Sequence, residues 1–373
     1  LRPLFSLPSL TNWIFFSIIL RQFINFNSTE GRIMSFVHIL SPLRRTILSS
    51  LLLLFVAVAF APSAPAADSL TIYSGRSERL IKPVLDAFTA STGIKIELLS
   101  SGTTELVNRL KAEGDRTSAD LLITNDAGSL ELARTAGLLH PLNMREVERA
   151  IPSQFRASDN AWVGLSGRFW IVVYNTTMVK PDQVKSLLDL ADPKWKDKIA
   201  IPNSGSEYLQ AGVSVIRATY GDEKTKQFLQ GLKANADSQV YQKSSQIVDA
   251  VAKGQVALGI VNHYYVYRHL AAQPGTPIAV VMPDQQEGGM GAIMNVAGVG
   301  IIKTTKHLDS AKLLVEFLVA QAGQKLFAEL DKEYPLHQDV KADPALVDRK
   351  SFRAALVPLS KLAELREPTL TLI

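Results

Sequence analysis

From residue 70 onward, short apolar runs alternate with stretches in which apolar positions recur every three to four residues. The first pattern predicts buried strands and the second amphipathic helices. On that reading 70–74 is a strand, 82–90 a helix, 94–99 a strand, 104–113 a helix, and 119–124 a strand leading into a helix that ends near 135. Gly93 and Gly137 stand where helices should stop, because glycine adopts the left-handed closing conformation without a Cβ penalty. Such alternation predicts a parallel, doubly wound α/β lobe, which binds ligands at the carboxyl ends of its strands.

Near residue 161 the rhythm changes. Two extended apolar segments, 161–165 and 169–174, suit hinges better than another strand–helix unit. A second α/β series follows: a helix before Ala191, a strand at 198–201, helices at 207–219, 222–233 and 244–253, and a strand at 255–261. A further crossing strand at 294–303 leads to a helix at 308–320. The expected architecture is two lobes, each a sheet flanked by helices, joined by two hinge strands. Residues 67–167 with about 295–340 make the first lobe, and 168–294 with about 341–373 the second.

The region before residue 67 reads differently. From Met34 it has the form of a secretory signal: the basic pair Arg44 and Arg45, an apolar run from Leu51 to Phe60, and Ala64-Pro65-Ala66 as a cleavage site. Residues 1–33 read as an upstream extension, outside the natural start. The apolar stretch 13–20 is too short to span a bilayer, which takes about 20 residues. An uncleaved anchor at 46–61 is the alternative to a removed leader.

Removing that leader changes the charge. Of 40 basic and 35 acidic residues it holds five and one, so the formal net charge of +5 falls to within one charge of neutral. No basic stripe is left to favour nucleic acid. The absence of cysteine excludes disulfides, thiolate metal sites, cysteine nucleophiles and a lipoprotein anchor together. The expectation is a free monomer in the periplasm, without stable membrane insertion once the leader is gone.

The run Asn262-His263-Tyr264-Tyr265-Val266-Tyr267-Arg268 follows a buried strand and opens a helix, which puts its first side chains at a cleft-facing junction. A bound cation can displace a phenol's proton, and the phenolate oxygen is a hard, anionic ligand matched to a hard trivalent ion. The alternative is that both rings pack beneath their own helix. Ser204-Gly205-Ser206, a small-residue turn before a helix, can present N–H groups and hydroxyls to an anion. No metalloprotease or phosphate-loop spacing is present, and nothing points to catalysis.

Asn-x-Tyr-Tyr after an apolar strand resembles the tyrosine pair of the bacterial ferric-iron-binding proteins, the transferrin-like periplasmic component of iron ABC transporters. Further blocks match that family in order: Ile72-Tyr73-Ser74-Gly75-Arg76, Ser118-Ala119-Asp120, and Leu165-Ser166-Gly167-Arg168 with Val172-Val173-Tyr174-Asn175. Pro193-Lys194-Trp195-Lys196 and Glu333-Tyr334-Pro335-Leu336 complete the series. The resemblance implies the type II-like periplasmic-binding-protein fold, Fe(III) as cargo, and an inner-membrane ABC permease as partner.

It further implies Tyr264 and Tyr265 as iron ligands, with Tyr208 similar to a third ligand tyrosine. A synergistic anion, carbonate or phosphate, would sit at Arg168 with Ser204, Gly205 and Ser206, and with Arg76 and Ser77 nearby. The chain departs from many family members in having Ser77 and Glu78 where they carry a ligand histidine, so it resembles a histidine-lacking branch. Glu78 could replace that ligand. Asp126 faces the same cleft but reads better as a helix cap, and His263 should diverge from its tyrosine neighbours. Two alternatives stay open at this level: a carrier of the same fold for a small organic or oxyanion solute such as a phosphonate or polyamine, and an enzyme that borrows the fold.

Overall fold

A computed structural model describes residues 69–373; the leader and chain-start readings lie outside the described residues. One half of the sheet is built from β1 (Ser69–Ser74), β2 (Lys95–Ser100) and β3 (Leu121–Thr124), with β1 parallel to both neighbours. Helices α1 (Glu78–Thr92), α2 (Thr103–Glu113) and α3 (Ala127–Thr135) alternate with them. α1 buries Leu80, Ile81, Val84, Leu85 and Phe88, one face of a 3.6-residue repeat. It begins four residues before the predicted 82, and its first turn already buries Leu80 and Ile81. Gly93 closes it in the left-handed region at φ +77°, and Gly137, at φ +70°, ends α3 by donating to Arg134 O.

After β4 (Leu139–His140) and α4 (Arg145–Ala150) comes β5 (Val163–Asn175). The second half of the sheet holds β6 (Ile199–Pro202) between parallel β7 (Val240–Tyr241) and β8 (Leu258–Asn262). Its helices are α5 (Glu207–Ala236), α6 (Ser244–Ala252) and α7 (His263–Ala272). α5 is broken at Gly221, φ +80° and ψ 172°, which matches the two helices expected there. The helix expected before Ala191 is instead a pair of 3₁₀ turns, Leu187–Ala191 and Pro193–Trp195. Pro193 is the reason, since a residue preceding proline is pushed out of the helical region.

The halves join through β5 and β10 (Ile293–Ile302), giving the order β2-β1-β3-β10-β5-β8-β6-β7. β5 is one 13-residue strand, not the two expected. Ser166, Gly167 and Arg168, which lie between the two expected segments, pair with Ala297, Val296 and Asn295 of β10. The far end of β5 pairs with β8 and with β9 (Ile278–Val281), while the far end of β10 pairs with β3. These central pairings are antiparallel, so the parallel expectation holds for the outer strands alone. α8 (Leu308–Val319) was expected; α9 (Gln321–Asp331), β11 (Tyr334–Pro335) and the last helix, α10 (Lys361–Leu370), were not. No helix among the described residues is long and apolar enough to cross a membrane.

Candidate functional site

β6 and β8 are parallel neighbours and end at the same edge of the sheet. Each feeds a helix whose second residue is a tyrosine. Ser206 caps α5, so Glu207 and Tyr208 open it; Asn262 precedes α7, which begins His263, Tyr264, Tyr265. The two phenol oxygens of Tyr208 and Tyr264 come within 3.4 Å. The rings of Tyr264 and Tyr265 lie 4.3 Å apart between centroids. Both residues of the pair thus lie near Tyr208 at the start of α5. Two helix N-termini add positive partial charge there, which favours an anionic oxygen.

Burial raises the Tyr264 phenol well above its ordinary range; Tyr208 and Tyr265 add to the shift and Arg168 opposes it. Tyr208 is raised by the same leading cause, with Tyr265 adding and Arg168 opposing. Both phenols are therefore neutral at ordinary pH until a cation displaces their protons. Among the described residues no group of three or more His, Asp or Glu is placed to hold a metal ion.

The family model for bacterial extracellular solute-binding proteins matches residues 84–354. The chain belongs to that family. "Iron uptake protein A1" of Synechocystis is 31% identical over 82% of this solute-binding protein and 88% of its own length. The "Fe(3+)-binding periplasmic protein" of Serratia marcescens is also 31% identical, over 82% and 90%. A Trichodesmium protein solved in complex with iron and citrate ligands superimposes with a TM-score of 0.72 at 28% identity, covering 82% of this chain and 98% of that one. The fold is thus the two-lobe binding-protein fold.

Beneath the tyrosines of this solute-binding protein, Arg168 rises from β5 with its guanidinium carbon 5.4 Å from the Tyr208 ring centroid. It is 1% exposed, and its Nε and Nη2 find no partner among the described residues. Three further buried donors without partners line the same small cavity: Trp170 Nε1, Asn262 Nδ2 and Asn295 Nδ2. Their clustering follows from register, since Arg168 lies opposite Asn295 and Trp170 lies opposite both Ile293 and Asn262. The Asn295 amide is oriented by its Oδ1, which accepts from Ala127 N at 3.1 Å and Val296 N at 2.8 Å. Trp170 packs flat on Gly212, where a Cβ would fall within 2.4 Å of the indole. A pocket walled by donors suits an oxyanion. Trp170, Asn262 and Asn295 were assigned no role from sequence; their signal is polar groups at alternate positions of otherwise apolar strands.

The other sequence candidates are placed as follows. In the Ser204-Gly205-Ser206 turn, Gly205 N–H donates to Asn203 Oδ1 and Ser206 N–H to Asn203 O, while the Ser206 hydroxyl accepts from Leu209 N. Those N–H groups are turned back into the turn, so what it offers outward is Ser204 and the first turn of α5. Arg76 forks onto Glu333 at 3.1 and 3.2 Å and reaches Asp331 at 2.9 Å. Glu333 also accepts the Ser166 hydroxyl. Burial pushes the Glu333 carboxyl up, yet Arg76 and Arg168 outweigh it and hold it below its ordinary value. Ser77 and Glu78 are exposed at the start of α1. Asp126 caps α3, accepting from Ser129 N at 2.9 Å and Ser129 Oγ at 2.7 Å.

His263 turns away from the phenol oxygens. Its Nδ1 accepts from Phe169 N at 3.1 Å, and its ring packs 4.8 Å from Tyr334. Burial lowers its pKa from 6.5 to about 4. The unfolded chain takes up a proton near pH 6.5 that the folded chain refuses until about pH 4. Stability should therefore fall as pH drops through that window, by roughly 3 kcal/mol at its lower end. Urea titrations of iron-free protein at pH 7 and pH 4 would measure this, and His263→Gln should flatten the dependence; an unchanged slope would contradict it.

Proposed function

We propose that this protein carries ferric ion in the cleft between its lobes and delivers it to an inner-membrane ABC permease from the periplasm. Tyr208, Tyr264 and Tyr265 supply phenolate oxygens, and Arg168 holds a small oxyanion of the carbonate or phosphate class. The lobes are residues 67–167 with about 295–340, and 168–294 with about 341–373. Support comes chiefly from one observation: two phenol oxygens, carried on helices that follow neighbouring parallel strands, lie 3.4 Å apart with a third ring stacked beside them.

The chemistry follows from charge. Three phenolates neutralise a trivalent cation, so an added anion makes the site negative overall. Arg168 and the two helix starts offset that charge. Closing the lobes excludes water and strengthens every contact. Since the buried phenols hold their protons tightly, loading must release protons, and affinity should rise with pH. Arg76 is committed to Asp331 and Glu333, and the Glu333 carboxylate favours the charged form of Arg168.

Loading the purified chain with a ferric salt should give a visible phenolate-to-iron charge-transfer band, one retained iron per chain in equilibrium dialysis, and acidification of a weakly buffered solution. Colourless protein that retains a phosphonate or polyamine but no iron would overturn the reading.

A further inference from the structure

α10 lies across the seam between the two halves of the molecule. On one side it packs against α5, where Thr369 Oγ1 meets Ser214 Oγ at 3.1 Å. On the other it packs against α3, with Leu362 buried over Gly128. Arg366 reaches from this helix to the first half, donating to Thr104 Oγ1 at 2.7 Å and Ser129 Oγ at 3.3 Å. The segment before it is tied to the foot of β10, where Ala292 N–H donates to Arg353 O and Ala292 O accepts from Ala355 N, each at 2.9 Å.

Under α10 two carboxylates come from opposite halves: Asp126, which caps α3, and Glu207, which opens α5 immediately before Tyr208. Arg366 is the cation in the lining of the cavity they share. Without it, two like charges would face each other across the seam and push it apart.

We propose that α10 is a clasp across the two lobes, with Arg366 as its positioning residue. Arg366 screens Asp126 from Glu207 and binds the first lobe by its hydroxyls, so the start of α5, and Tyr208 with it, is held against the opposite wall. Opening the cleft requires these contacts to break or slide. Removal of the guanidinium therefore shifts the protein toward the open form and hastens cargo release. The release arm rests on the ferric reading, whereas the shape arm does not.

The test compares wild type with Arg366→Ala, Thr104→Val and the double variant Arg366→Ala, Glu207→Gln. Iron release to a chelator should be about tenfold faster in Arg366→Ala, the scale of a lost charge-assisted hydrogen bond, and measurably faster in Thr104→Val. The double variant should recover much of that loss, because it removes the repulsion; a purely structural role for the helix would give no recovery. Small-angle scattering of the iron-free proteins should show a larger radius of gyration for Arg366→Ala than for wild type. Should Arg366→Ala fail to fold, Thr104→Val, which alters one exposed hydroxyl, decides by the same readouts. Equal release rates and superimposable scattering for wild type and the folded variants would overturn the clasp. If no variant binds iron, the ferric reading fails and scattering alone judges the clasp.

Discussion

Tyr264→Phe should leave a folded protein that takes up ferric ion with a weakened charge-transfer band, since Tyr208 and Tyr265 remain, and with affinity lowered by more than the roughly 10- to 100-fold that loss of an outer-shell partner costs. The substitution deletes one oxygen and nothing else. Tyr264 is 1% exposed, and its ring still fills the space beside Tyr265 and His263. Far-ultraviolet circular dichroism should therefore match wild type. Ferric titration against a competing chelator gives the affinity, and an undiminished affinity with the band intact would remove Tyr264 from the site. Tyr208→Phe should behave alike, because its oxygen is the one within 3.4 Å.

The second large effect lies below the site, at Glu333. Its carboxylate is wholly buried, forks onto Arg76, and stands close enough to Arg168 to be held below its ordinary pKa. Glu333→Ala leaves two buried guanidinium groups short of a counter-charge. Removing one partner of a buried pair costs about 3–5 kcal/mol, because the remaining charge stays desolvated. The unfolding free energy from urea titration should drop by that amount, seen as a lower midpoint at an unchanged slope. Glu333→Gln, which keeps the volume and an acceptor oxygen, should lose less. An unfolding free energy for Glu333→Ala within about 0.5 kcal/mol of wild type would mean that Asp331 alone balances the cluster.

Local signals carried much of the architecture. The outer strands and their helices were legible because each satisfies its own periodicity: β8 is a short apolar run, and α1 repeats its buried residues at helical spacing. Gly93 and Gly137 announced the ends of their helices, and both take the positive φ that favours glycine. The central strands were harder. Gly167 and Arg168 look like an interruption in the sequence, yet they sit inside β5 because β10 pairs with them and Arg168 finds buried carboxylate and phenol neighbours. α10 was missed because its apolar face is narrow and becomes useful only against two other helices.

The site divides along the same line. Sequence by itself determined the α/β class, the strand-to-helix junctions at Ser204–Ser206 and Asn262–Tyr265, and the chemical reason to notice adjacent phenols in a chain without cysteine. Those properties belong to residue type and short-range spacing. Only tertiary structure decided that Tyr208 meets Tyr264, that Arg76 is spent on Glu333 while Arg168 keeps donors free, and that Trp170, Asn262 and Asn295 share one pocket. Those contacts join residues far apart in the chain, and they depend on which strands pair, in which register, around β5 and β10. No local pattern fixes that choice, because the partner of a strand is set by burial and hydrogen bonding across the whole sheet.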